Sequence, residues 1–141
     1  MTNVERVERA GQGRALLMLI AAIILLINVM LQWGDPAYMS AGARGGSWLV
    51  MIGLWAVVLA TGGGLGLSGP LRAVLNDELT RSHRSRAVSF GFYAAILASL
   101  SLLVLSWSSP IAVGDALKLV SAVGMAAALV CFAALELRSS H

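Results

Sequence analysis

The chain has 141 residues, 58% hydrophobic and 12% charged, with a mean hydropathy of +0.82. Soluble domains are usually about a quarter charged, and a domain this small has too high a surface-to-volume ratio to hide so much apolar surface from water. The net charge of +3 does not indicate nucleic-acid binding, because the Lys and Arg residues are dispersed and most flank apolar runs.

Charges mark where the chain must meet water. The uncharged intervals are 20 residues between Arg14 and Asp35, 27 between Arg44 and Arg72, 28 between Arg86 and Asp115, and 17 between Lys118 and Glu136. A helix needs about 20 apolar residues to cross the hydrocarbon core. The intervals predict helices near 14–34, 47–69, 86–108 and 115–137. Together they make one membrane domain over 1–141, an all-α integral membrane four-helix bundle with up-down-up-down order. Helices are required because lipid offers backbone N–H and C=O groups no partner. Continuous apolar runs exclude a β-barrel, which needs short alternating segments.

The N-terminal segment opens with Thr2 and Glu5 in a capping box, and Glu5 can pair with Arg9. The apolar core of the first span, Ala15 to Leu31, is too long for a signal peptide. Asn28 and Gln32 lie four residues apart on one face of this span. Such amides usually hydrogen-bond across helices; the alternative is that they line a polar path. In the second span, Gly62 and Gly66 have GxxxG packing spacing. Gly64, Gly66 and Gly69 match the dinucleotide pattern GxGxxG, but they end an apolar helix before Pro70 and do not open a βαβ unit.

The segment 71–86 reads as an amphipathic surface helix, with Leu71, Val74, Leu75 and Leu79 on one face. Its Arg81, Arg84 and Arg86 would meet anionic headgroups. Asn76, Asp77 and Glu78 would face the cytoplasm or a partner protein. Asp77 and Glu78 fall on different faces from His83, which argues against a metal site; Asp77 pairs more simply with Arg81. The third span carries the small ridge Ala87, Gly91, Ala95 and Ser99, and the fourth carries Gly124 and Ala128. Small faces let helices approach closely in lipid, either within one chain or in a homo-oligomer. Cys131 is alone, which excludes an internal disulfide and a paired-cysteine metal site, and it reads as a packing residue. Glu136 is expected to reach water at the end of the last span.

Orientation follows from the basic residues. Arg6, Arg9, Arg14, Arg72, Arg81, Arg84, Arg86 and Arg138 lie on one side, with Arg44 and Lys118 on the other. The positive-inside rule puts both termini and the middle loop in the cytoplasm. Trp33, Tyr38, Trp48 and Trp107 then mark the outer interface, and Phe90, Phe92 and Tyr93 the inner one. The halves share short matches: Arg14-Ala15 with Arg86-Ala87, Ala21-Ala22-Ile23 with Ala94-Ala95-Ile96, and Trp33 to Pro36 with Trp107 to Pro110. They read either as two tandem helical hairpins about an axis along the membrane normal, or as interface chemistry common to all hairpins.

The run from Leu75 to Arg81, followed by His83-Arg84 and the aromatic stretch Phe90 to Tyr93, resembles small bacterial inner-membrane proteins to which no activity is assigned. These have an N-D-E-L-T-R-type cytoplasmic loop leading into a Gly- and aromatic-containing helix. The resemblance covers about 20 residues and implies a bacterial cytoplasmic membrane and a four-helix layout.

No Asp, Glu, Lys, Arg or His sits centrally in a span, whereas proton relays and ion-coupled transporters generally need one. Small multidrug-resistance transporters match in length and helix number, but their pattern includes a membrane-embedded Glu that the first span lacks. No catalytic, cofactor-binding or metal-ligating set is expected. The sequence points to a non-enzymatic accessory, scaffold or regulatory subunit touching lipid or a partner through its cytoplasmic loop. The alternative is a small oligomeric transporter or channel lined by Asn28 and Gln32.

Overall fold

A computed structural model describes residues 3–33, 42–61 and 78–139, with side chains placed over 11–33, 46–61 and 80–138. The described residues form four α-helices and no strand: α1 (Asn3–Gln32), α2 (Gly42–Ala60), α3 (Glu78–Ser106) and α4 (Val113–Ser139). α1, α3 and α4 contain stretches long and apolar enough to cross a membrane: Gly11–Gln32, Thr80–Ser106 and Val113–Arg138. The described part of α2 gives a shorter apolar helix, Gly46–Ala60. The chain is a helical membrane protein.

The contacts fix alternating directions. Gly91, early in α3, lies against Gly124 and Ala128 around the middle of α4, and Ala95 lies against Gly124. Trp48 at the start of α2 reaches Ser121 of α4, and Ala60 at its end meets Arg84 near the start of α3. The starts of α1 and α3 and the end of α4 therefore share one end of the bundle, called here the Arg14 end.

Helix α4 is the hub, with α3 and α1 packed closely along it and α2 more lightly. Its buried Ala122, Ala126, Ala128 and Ala133 keep its surface low, so neighbouring backbones can come near. α1 faces it with Ala15, Met18, Ala21, Ala22, Leu25 and Val29, a stripe of helical period bounded by buried Arg14 and Gln32. The opposite faces of α1 and α3 are broadly apolar and exposed, including Leu16, Ile20, Ile23, Ile27, Tyr93, Leu97 and Leu100. In water such surface would drive aggregation; in lipid it costs nothing.

Some boundaries differ from the sequence expectation. α1 begins at Asn3 and α3 at Glu78, so residues 78–86 form no separate surface helix: they continue the membrane helix without a break. No proline or glycine lies between Glu78 and Gly91 to stop it. Among the described residues the hairpins are not packed alike, since α4 takes the central place and α2 packs on it more lightly. Trp48 is buried against α4, reaching Ser121 one turn after Lys118.

Candidate functional site

Three side chains from three helices converge at the Arg14 end. Arg14 of α1 places Nη1 3.6 Å from Oε1 of Glu136 on α4. His83 of α3 places Nδ1 3.9 Å from Oε2 of the same carboxylate. The side chains of Arg14, His83 and Glu136 are 9%, 10% and 11% exposed. Phe132, one turn before Glu136, lies under the guanidinium, with Arg14 Cζ 5.9 Å from the ring centroid. Arg14 Nε and His83 Nδ1 make no hydrogen bond within the described residues. Charge neutralisation, more than hydrogen bonding, is what the carboxylate gives Arg14; His83 adds an ion pair only in its protonated form.

This cluster corrects the expectation that Glu136 reaches water. The antiparallel packing of α1 on α4 puts Arg14, about three turns into α1, and the last-turn Glu136 at one depth, and α3 closes over them with His83. The signal in the sequence was an acid and a base of opposite sign at matching ends of two antiparallel spans. Sequence spacing within one segment does not reveal it.

Among the expected contact residues, Asn76 and Asp77 lie outside the described residues, and Glu78 opens α3. Arg81 and Arg86 are exposed. Arg84 turns back to donate from Nη1 to the Ala60 carbonyl at the end of α2. Among the packing residues, Gly62 and Gly66 lie outside the described residues. Gly91, Ala95, Gly124 and Ala128 meet across the α3–α4 seam: a Cβ on Gly91 would stand 2.6 Å from the Gly124 carbonyl oxygen and 2.8 Å from the Ala128 Cβ. Ser99, the next position of this ridge, is exposed and lines the α3–α4 groove toward the turn, and its Oγ donates to the Ala95 carbonyl of its own helix at 2.8 Å. Asn28 and Gln32 are joined to each other, Gln32 Nε2 donating to Asn28 Oδ1.

Two apolar grooves follow the α3–α4 seam. One, of about 430 Å³, is lined by residues of α2, α3 and α4, among them Leu59, Val88, Phe92, Val120 and Met125. The other, of about 360 Å³, lies toward the α3–α4 turn and includes Ser99, Leu103, Ser106 and Val113. Leu117 and Val120 line both. No grouping of three or more His, Cys, Asp or Glu able to hold a metal occurs among the described residues. No protein family, curated protein or solved structure matches the chain.

Proposed function

We propose that this chain is a non-enzymatic accessory or scaffold protein of a bacterial cytoplasmic membrane. Its Arg14 end lies on the cytoplasmic side, and its surface at residues 78–86 contacts anionic lipid or a partner protein. The observation that carries this reading is the continuity of α3. Arg81 and Arg86 are exposed on the opening turns of the same rigid helix that next exposes Val88, Phe90, Phe92 and Tyr93. Guanidinium groups set directly beneath a lipid-facing surface lie at headgroup depth, where each basic side chain contributes about 1 kcal/mol of attraction to anionic lipid. The bias of basic residues toward this end supports the orientation.

Transport along Asn28 and Gln32 has less support. The two amides use one another as partners, and Gln32 is 8% exposed.

The test is purification from native membranes in mild detergent, comparing the chain with its Arg81→Glu/Arg86→Glu variant. The expected result is a defined protein or anionic lipid that accompanies the chain and is lost on charge reversal. Recovery of the same companions by both forms, or of none by either, removes the proposal.

A further inference from the structure

We propose that the groove between α2, α3 and α4 is a binding site for one anionic phospholipid of the leaflet at the Arg14 end. Arg84 holds the phosphate, and one acyl chain lies along Val88, Phe92 and Val120.

The first support is the position of Arg84. It stands one turn before Val88, on the same face of α3. Its guanidinium reaches the carbonyl of Ala60, next to Leu59, and both Leu59 and Val88 line the groove. A cation therefore stands at the mouth of an apolar channel. Guanidinium has five N–H donors; the bond to Ala60 leaves others for a phosphodiester, which guanidinium grips in two-pronged fashion.

The second support is length. The groove follows α4 from Leu117 to Ala128, which at 1.5 Å per residue is about 16 Å. One leaflet supplies half of a hydrocarbon core about 30 Å thick. An acyl chain anchored at Arg84 thus runs the length of the groove.

The third support is lining chemistry. Among the described residues Ser121 is the one hydroxyl residue in this groove, and its Oγ is already engaged, accepting from Trp48 Nε1 and donating to the Lys118 carbonyl. The remaining wall is hydrocarbon, sulfur and aromatic ring, which suits a lipid tail and offers little to a polar ligand.

This inference rests on the lipid-contacting reading above, but its test separates the two. The purified full-length chain is incubated in detergent with phosphatidylglycerol or phosphatidylcholine of identical acyl chains, and bound lipid is counted by native mass spectrometry. One phosphatidylglycerol per chain is expected, preferred about fivefold over phosphatidylcholine. Arg84→Gln should remove the preference and Arg84→Lys keep most of it. Val120→Trp, which fills the groove, should lower retention of both lipids, whereas Leu100→Trp on the far, exposed face of α3 should leave retention unchanged. Folding of each variant is checked by helical circular dichroism. Equal retention of the two lipids by the wild-type chain, unchanged retention in a folded Val120→Trp, or a dimer mass showing a second copy in the groove would overturn the proposal. Loss of companions on reversal of Arg81 and Arg86 speaks to the cytoplasmic surface; the response to Val120→Trp speaks only to the groove.

Discussion

Arg14 and Glu136, near opposite ends of the sequence, close the same end of the bundle, with Arg14 Nη1 3.6 Å from Glu136 Oε1 and both side chains about nine-tenths buried. The attraction between such groups barely offsets the cost of desolvating them, yet removing one partner strands the other charge. Glu136→Ala should cost about 3–5 kcal/mol of stability. Replacing both, as Arg14→Met with Glu136→Leu, should cost clearly less than Glu136→Ala alone. Equilibrium unfolding in mixed detergent micelles measures both. A loss under about 1 kcal/mol for Glu136→Ala would put the pair in the class of exposed ion pairs and refute its burial.

The α3–α4 seam gives a prediction of order. Replacing a helical glycine by alanine ordinarily gains up to about 1 kcal/mol in helix propensity. At Gly91 the new methyl would meet the Gly124 carbonyl oxygen at 2.6 Å, and backbone cannot step aside as a side chain can. At Gly124 the nearest atom is the Ala95 Cβ at 3.0 Å. Gly91→Ala should destabilise by about 1–3 kcal/mol, and Gly124→Ala by less. Thermal unfolding of both variants in one detergent tests the order, and the reverse order would require a different register between the helices.

Solvent identity was legible in the sequence because it is written in long uncharged intervals. The runs after Arg14, after Arg86 and after Lys118 each became a membrane-length helix. The close pair Gly91 and Gly124 was legible as small residues, though not which of them would meet. The buried ion cluster was not legible. Arg14 and Glu136 each look like a charge placed at a helix end to reach water, and only the packing of α1 and α3 on the last turns of α4 shuts water out. Ser99 shares a four-residue spacing with Ala95 but is exposed where it lines the groove, and spacing carries no information about how closely the facing helix approaches. The place of α2 was also hidden. Its apolar run resembles the others, and nothing in that run shows that its described part packs on α4 more lightly than α1 and α3 do.

Asn28 and Gln32 are joined by a hydrogen bond, so they should respond non-additively. Asn28→Leu leaves the amide of Gln32, 8% exposed, without its acceptor, at a cost of about 1–3 kcal/mol. The double variant Asn28→Leu/Gln32→Leu removes both polar groups and should lie close to wild type in a bilayer. A double-mutant cycle read by unfolding in lipid micelles checks this. A double loss equal to the sum of the single losses would mean that the amides serve something other than each other.

Trp48 is a polar link between α2 and the hub. Its Nε1 donates to Ser121 Oγ at 3.3 Å, while the ring is buried against the core cluster. Trp48→Phe keeps most of the apolar contact and loses the hydrogen bond, worth about 0.6 kcal/mol on average between membrane helices. Because α2 packs on α4 more lightly than α1 and α3 do, the loss should appear locally. Amide exchange should quicken by about threefold over Gly42–Ala60, with protection in α1, α3 and α4 unchanged. Ser121→Ala should reproduce the effect, and the two together should add nothing further. Faster exchange spread across all four helices would show instead that α2 unfolds only with the whole bundle, and that the bond does not set its local stability.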